Sequence, residues 1–177
     1  MQNNKIKIAV SSCLLGEAVR YDGTDKHIEY ITQQLETEYN LISICPEMAV
    51  GMGVPRPPIH LVNDGNGIQV VGVENPDKNM TLPLTDYGKK VTEEHSDICG
   101  YILKKNSPSC GIKNVKVLNT NGEYERTGQG VYVRSILNHF PTLPIIDEED
   151  LASEIKTNLF LNEVLKYSEN MHSLKKY

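Results

Sequence analysis

Short runs rich in Val, Ile and Leu alternate along the chain with longer stretches of helical spacing, and this alternation restricts the fold more than any other feature of the sequence. Such alternation is typical of α/β proteins, in which helices cover a largely parallel sheet. The predicted strands span residues 5–11, 41–45, 99–104, 115–118 and 143–146. The predicted helices span residues 25–39 with Asp25 as N-cap, 85–95 with Thr85 or Asp86 as N-cap, 129–140 and 150–167.

Two further strand-like runs, 59–62 and 68–73, flank a segment composed only of Asn, Asp and Gly. These residues favour tight turns, so the pattern predicts a β-hairpin, which we expect to be inserted beside the main sheet. Residues 49–58 are rich in Gly and Pro and predict a loop. The sequence contains no internal repeat and no linker. We therefore expect one domain over residues 1–177, with a Rossmann-like layered α/β fold, a mostly parallel sheet and a β-hairpin insertion.

The composition excludes several classes of protein. The 177 residues are 39% hydrophobic and 23% charged, which is close to the average of soluble globular domains. The net charge of −5 provides no basic field for a phosphate backbone, so no nucleic acid polymer is expected as a partner. The sequence contains no run of 18 apolar residues, so no membrane span is predicted. The first residues lack the long apolar region of a signal peptide, so we expect a cytoplasmic protein, in which thiols stay reduced.

Three of the four cysteines follow predicted strands. Cys13 comes just after the first strand, Cys45 closes the second, and Cys110 lies in the loop after the third. Because ligands of open α/β sheets bind beyond the carboxyl ends of the strands, we expect these three thiols to converge on one crevice. Cys99 begins a strand instead. It is predicted to be a buried small side chain at the opposite end of the sheet.

Three converging thiols have two interpretations. Structural zinc sites use four ligands, often supplied as CxxC pairs, and this chain contains no CxxC. A four-iron cluster held by three cysteines leaves one iron open as a Lewis acid, and thiolates are suitable ligands for iron–sulfur clusters. The alternative is three incidental buried cysteines, and the spacing alone leaves both interpretations open.

Charged side chains close to these cysteines are further candidates. Glu47 lies two residues after Cys45 and is either a general base for water or a solvated loop residue. Arg20 and Asp22 either form an ion pair within their loop or contact a substrate. Arg56 has the same two interpretations and is suited to recognise an anionic or carbonyl group. A dinucleotide or phosphate binder is disfavoured, because the chain has no GxGxxG or Walker loop.

Five motifs in the same order are similar to those of the thiouracil desulfidase family: SCLLG from Ser12, RYDG from Arg20, CPE from Cys45, GVPRP from Gly53 and SPSCG from Ser107. The resemblance extends over residues 6–165. It implies a cytoplasmic enzyme with an oxygen-sensitive [4Fe-4S] cluster that has one open iron, and the matching ligands are Cys13, Cys45 and Cys110. It also implies a catalytic Glu, which matches Glu47, and a catalytic Ser, which we assign to Ser107 while Ser109 stays open.

The implied reaction is the non-redox removal of sulfur from a thiolated nucleobase such as 2-thiouracil, giving uracil and sulfide. Glu47 would deprotonate a water molecule, and Ser107 would hold the water or relay a proton to the ring nitrogen. The expected substrate contacts are Ser12, Arg20, Asp22, Arg56 and Ser109. The alternative is an iron–sulfur or zinc-binding accessory protein, or a sulfide carrier, without hydrolytic activity. We expect a monomer or a small homo-oligomer.

Overall fold

The computed structural model describes residues 5–174, whose strands form two four-stranded sheets. In chain order the strands are β1 (Lys7–Ser11), β2 (Asn40–Ile44), β3 (Ile59–Asn63), β4 (Ile68–Gly72), β5 (Ile98–Leu103), β6 (Val115–Leu118), β7 (Tyr124–Gly128) and β8 (Ile145–Asp147). The helices are α1 (Ile31–Leu35 in π conformation, followed by Glu36–Glu38), α2 (Pro46–Ala49), α3 (Thr81–Glu94), α4 (Val131–His139) and α5 (Glu154–Leu174). Short 3₁₀ turns cover Ser12–Leu15 and Asp150–Ala152.

The first sheet is fully parallel, with the strand order β2-β1-β5-β8. The prediction of a mostly parallel sheet is therefore confirmed for this sheet, in which β1 lies between β2 and β5. All six residues of β5 are buried, because helices cover both faces of the sheet. Phe160 and Val164 of α5 pack on one face together with α1, while Val91 of α3 and Tyr132 of α4 pack on the other. This burial on both faces explains the nearly continuous apolar sequence of the strands.

The second sheet is mixed, with the order β4-β3-β6-β7. The predicted hairpin is present as the antiparallel pair β3–β4. It is not an isolated insertion, however, because β3 also pairs in parallel with β6, which pairs with β7. Leu61 and Val117 of this sheet pack against Leu84 of α3 and Val131 of α4. The same two helices therefore connect the two sheets.

The start of the first predicted helix is wrong. The helical segment begins several residues after Asp25, the predicted N-cap. The Asp25 carboxylate instead accepts the N–H of His27 at 2.9 Å, and the N–H of Lys26 donates to the carbonyl of Cys13 at 2.8 Å. These bonds hold residues 25–28 against the turn after β1, so the helix starts only where the chain leaves that turn.

The other helix boundaries also differ from the prediction. α3 begins at Thr81, whose N–H donates to the Asn79 side chain at 2.9 Å, so Thr85 and Asp86 lie inside the helix. Pro83 is tolerated there because the first turn of a helix does not need its N–H. α5 begins at Glu154 and extends through Leu174, beyond the predicted end.

The predicted domain includes residues 1–4 and 175–177, which lie outside the described residues. None of the helices within residues 5–174 has the length and hydropathy needed to span a bilayer.

Candidate active site

A cavity of about 630 Å³ lies at the carboxyl end of the parallel sheet. Its other wall is formed by residues of β3, β6 and β7 from the second sheet. Eight of the sequence-predicted site residues line the cavity: Ser12, Cys13, Arg20, Cys45, Glu47, Arg56, Ser107 and Cys110. Asp22 and Ser109 are not among the lining residues. The parallel sheet thus brings most of the candidate residues to one place.

Three thiols enter this cavity from three separate segments. Cys13 lies in the 3₁₀ turn after β1, Cys45 is the N-cap of α2 directly after β2, and Cys110 lies in the loop after β5. Cys13 is 7% exposed, Cys110 is 3% exposed, and Cys45 is half-buried. Besides burial, negative charge on Glu47, Cys45 or Cys13 raises the pKa of Cys110. None of the three forms a disulfide.

Burial makes these thiols poor anions on their own. It raises the pKa of Cys13 to about 11 and that of Cys45 to about 12, and it also raises the pKa of Cys110 well above the usual value. The Lys104 ammonium lowers the pKa of Cys13, but burial outweighs this effect. Bound iron would supply the positive charge that buried thiolates need, because a coordinating thiol loses its proton to the metal. The donor set therefore fits a thiolate-bound metal group.

The spacing of the donor side chains bears on which metal group the site could hold. Within residues 5–174, no three His, Cys, Asp or Glu side chains are placed to hold one metal ion. A four-iron cluster requires its ligand sulfurs to be farther apart, at roughly 6 Å for iron–sulfur bonds of about 2.3 Å. That sulfur spacing remains a prediction for Cys13, Cys45 and Cys110.

Cys99 lies at the other end of the parallel sheet, as the sequence predicts. It is the second residue of the buried strand β5 and lines a separate small cavity of about 120 Å³. Its sulfur lies 4.0 Å from the sulfur of Met171 on α5. Cys99 is therefore separate from the three thiols of the candidate site.

The loop that carries Cys110 is closed by Ser107. The Ser107 hydroxyl oxygen accepts the N–H groups of Ser109 at 3.2 Å and Cys110 at 3.0 Å. The N–H of Gly111 donates to the Ser107 carbonyl at 2.8 Å. Because Pro108 also restricts the backbone, the loop has a fixed shape that holds Cys110 and leaves the Ser107 side chain at the cavity wall.

The start of α4 supports this loop. The N–H of Gly130 donates to the Gly111 carbonyl at 2.8 Å, and the N–H of Val131 donates to the Pro108 carbonyl at 3.1 Å. The free N–H groups of the first helical turn thus find their partners in the cysteine loop. A Cβ atom on Gly130 would lie 2.5 Å from the carbonyl carbon of Ser109 and 2.9 Å from the nitrogen of Cys110. Only glycine fits at this contact.

We expect Gly130→Ala to lower the free energy of unfolding by about 3 kcal/mol, the upper range for overpacking, because a backbone atom cannot move aside as a flexible side chain can. Urea denaturation followed by circular dichroism measures this change. Asn138→Ala, on the exposed side of the same helix, is the matched control and should leave the free energy of unfolding nearly unchanged. Equal stability of the two variants would show that the loop is not held by this contact.

Ser107 and Ser109 have different surroundings, which the sequence could not distinguish. Ser109 is fully buried, and its hydroxyl oxygen has no hydrogen-bond partner among the described residues. Ser107 lines the cavity. The structure therefore places Ser107, and not Ser109, where it can reach a bound molecule.

Glu47 lies on α2 and is half-buried at the cavity wall. The Cys45 thiol donates to its carboxylate at 3.5 Å, so the side chain faces the thiols rather than a cation on the outer surface. Glu47 is the only carboxylate among the described residues that line the cavity. Its position suits a general base close to the sulfur ligands.

The two candidate arginines are fixed by bonds to loop residues, and Arg56 connects its own loop to the one that carries Arg20. Arg56 donates from one guanidinium nitrogen to the carbonyls of Val19 at 2.8 Å and Gly53 at 2.9 Å. Arg20 forms the predicted ion pair with Asp22 at 3.4 Å. Arg20 lines the cavity, whereas Asp22 lies outside the cavity and holds the Arg20 guanidinium in place.

Sequence analysis missed the basic character of the cavity. Although the whole chain has a net charge of −5, six lysines and arginines line the cavity. These cations are Arg20, Arg56, Lys104, Lys105, Lys116 and Arg126. The side chain of Lys104 is only 22% exposed and pairs with Glu148. Lys116 and Arg126 belong to the second sheet, whose position against the thiols no local sequence pattern indicates.

The chain is similar to known proteins over most of its length. The sequence model of the 2-thiouracil desulfurase family matches residues 8–148. The uncharacterized protein YbbK of Bacillus subtilis (strain 168) is 34% identical over 118 residues, covering 59% of this chain and 72% of YbbK. The solved structure of a [4Fe-4S]-dependent thiouracil desulfidase, TudS, aligns with a TM-score of 0.66 at 29% identity, covering 89% of this chain and 99% of TudS. The family match spans most of the chain, and this protein therefore belongs to the 2-thiouracil desulfurase family.

Proposed function

We propose that this protein hydrolyses the thiocarbonyl group of a nucleobase such as 2-thiouracil, giving uracil and sulfide, and that it depends on a [4Fe-4S] cluster with one open iron. The observation that carries the proposal is the meeting of three thiols, two of them buried and one half-buried, and one carboxylate in a single cavity. The family match and the likeness to TudS support it. Three protein ligands, Cys13, Cys45 and Cys110, would hold the cluster.

When bound, a cluster with three protein ligands supplies a soft Lewis acid that suits sulfur and polarises a C=S bond. The chain provides the surroundings for this chemistry. Buried Cys13 and Cys110 keep water away from one side of the site, and the cavity of about 630 Å³ has room for a single nucleobase.

Glu47 acts as the general base in this proposal. Its carboxylate takes a proton from a water molecule, whose oxygen then attacks the thiocarbonyl carbon. The C–S bond breaks, the oxygen stays on the ring as a carbonyl, and the sulfur leaves as sulfide. No electron is transferred overall, since the carbon keeps its oxidation state.

Ser107 holds the water or moves a proton to the ring nitrogen. Its hydroxyl oxygen accepts two backbone N–H groups, so the oxygen is fixed while the hydroxyl proton remains available for donation. Ser12, Arg20 and Arg56 are the proposed substrate contacts in the cavity. Asp22 would act through Arg20, and Ser109 would act through the shape of the cysteine loop.

We expect Ser107→Ala to lower turnover of 2-thiouracil by about 10²-fold, the scale at which a proton-transfer group contributes. Ser109→Ala should change it much less, because the Ser109 side chain does not line the cavity. Steady-state kinetics on anaerobically prepared variants measure both effects, and iron content checks that each variant keeps its cluster. A larger loss in Ser109→Ala than in Ser107→Ala would reverse the assignment.

The second candidate function is a cluster-binding accessory protein or sulfide carrier. It uses the same three thiols but does not need the carboxylate that faces them. An anaerobic assay of the cluster-loaded protein for uracil and sulfide formed from 2-thiouracil separates the two functions. We further propose a cytoplasmic protein that is a monomer or small homo-oligomer and has no nucleic acid polymer as partner.

A further inference from the structure

Lys104 is a cation of the cavity that the proposed reaction does not use. It follows β5 directly and lines the cavity, although only 22% of its side chain is exposed. Its backbone N–H donates to the hydroxyl oxygen of Ser11 at 3.0 Å, which ties the residue to the end of β1. Lys104 therefore lies where the segments that lead to Cys13 and to Cys110 meet.

Two of the three ammonium protons of Lys104 have acceptors within the protein. The ammonium donates to the carboxylate of Glu148, directly after β8, and to the carbonyl of Lys105 at 3.0 Å. The same carboxylate accepts the backbone N–H of Lys105 at 2.6 Å, so Glu148 fixes the side chain and the backbone together. Within residues 5–174 the third proton has no acceptor. Because the side chain lines the cavity, this proton is available to a bound molecule.

The charge of Lys104 also acts on a thiol of the site. Burial raises the pKa of Cys13, and the Lys104 ammonium is the largest of the charges that oppose this rise, ahead of Arg20. The guanidinium of Arg56, by contrast, already donates to two backbone carbonyls. Lys104 thus combines an N–H at the cavity wall that has no acceptor among the described residues with a charge that acts on a ligand thiol.

We propose that Lys104 is a further catalytic residue: its third N–H donates to the sulfur atom of the substrate as the C–S bond breaks. This inference rests on the proposed function, since it concerns the same reaction. The electron pair of the C–S bond goes to the sulfur, which gains negative charge, and Lys104 stabilises this charge without giving up its proton. A donor that is already fixed needs no reorganisation when the charge develops, and loss of one such donor costs about 10²–10³-fold in kcat.

The test changes the leaving group. Lys104→Met removes the ammonium but keeps a side chain of similar length, and its kcat for 2-thiouracil should fall by about 10²-fold. Hydrogen selenide is a stronger acid than hydrogen sulfide, so selenium carries negative charge with less help from a donor. The kcat for 2-selenouracil should therefore fall less. The ratio of kcat for 2-selenouracil to kcat for 2-thiouracil should rise by about 10-fold over the wild type, the lower range for a hydrogen bond to a charged group.

Binding of the product gives a readout that does not depend on turnover. Titration of the cluster-loaded protein with sodium sulfide, followed by the visible absorbance of the cluster, measures the affinity for sulfide. This affinity should be about 10-fold weaker in Lys104→Met, because one hydrogen bond to the charged product is lost.

Lys7→Met is the matched control. Lys7 is also a partly buried lysine that pairs with a carboxylate, that of Asp97 at 2.6 Å, but it begins β1 at the opposite end of the sheet from the cavity. This variant should keep the wild-type ratio of kcat values and the wild-type affinity for sulfide.

A wild-type ratio of kcat values in cluster-loaded Lys104→Met would overturn this inference alone, whatever its affinity for sulfide. If Lys104→Met binds no iron, Lys104→Gln decides by the same measurement: a raised ratio supports the inference, and a wild-type ratio or a second loss of iron overturns it. A cluster-loaded wild-type protein that releases neither sulfide nor selenide would overturn the proposed function, and this inference with it.

Discussion

Each of the substitutions Cys13→Ala, Cys45→Ala and Cys110→Ala is expected to abolish cluster assembly and to reduce 2-thiouracil turnover below detection. Each of these cysteines comes from a different segment of the chain, after β1, β2 and β5 respectively. Two remaining sulfurs cannot hold a four-iron cluster with only one open iron. No other cysteine of the described residues lines the cavity and could replace a missing ligand.

Cys99→Ala is the internal control for these variants. Cys99 is also buried, at 4% exposure, but it lies at the opposite end of the sheet. Iron and acid-labile sulfide per chain after anaerobic reconstitution measure the effect, together with the visible absorbance of the cluster. The ligand assignment would be wrong if Cys99→Ala lost iron while one of the other three variants kept it.

Glu47→Gln is expected to keep the cluster and lose turnover by about 10²-fold or more, the usual scale for removal of a general base. Glutamine has the size of glutamate and can still accept a hydrogen bond from Cys45, but it cannot take a proton from water. The loss should therefore appear in kcat, while the cluster absorbance stays at the wild-type level.

Glu17→Gln provides the comparison for Glu47. Glu17 is an exposed carboxylate on the same loop region as Cys13 and bonds to Ser43 rather than to a thiol. Its replacement should leave kcat unchanged. If a cluster-loaded Glu47→Gln variant kept wild-type turnover, Glu47 would not be the general base, and another group would have to take the proton from water.

The main sheet and the meeting of three thiols were predictable from local sequence patterns. Strands rich in Val and Ile alternate with helices, and parallel strands place their carboxyl ends at one edge. Cys13, Cys45 and Cys110 each follow such a strand, so their placement at a common cavity follows from topology. The resemblance to the thiouracil desulfidase family is confirmed by the family match over residues 8–148.

The second wall of the cavity was not predictable. Four of the five residues of β7 are exposed, so the strand shows no alternation of apolar and polar residues. Tyr124 and Arg126 of this strand line the cavity only because β7 pairs with β6, a tertiary contact that no local pattern encodes. The sequence also left Ser107 and Ser109 equivalent, since the direction of each side chain depends on the hydrogen bonds of the turn.

The proposed mechanism needs both a cluster on three cysteines and hydrolysis by Glu47. The most direct measurement is anaerobic turnover of 2-thiouracil in ¹⁸O-labelled water by protein of known iron and sulfide content. We predict that uracil and sulfide form in equal amounts, that the uracil carries one ¹⁸O atom, and that the rate scales with the iron content. Unlabelled uracil, or an equal rate in iron-free protein, would contradict this mechanism.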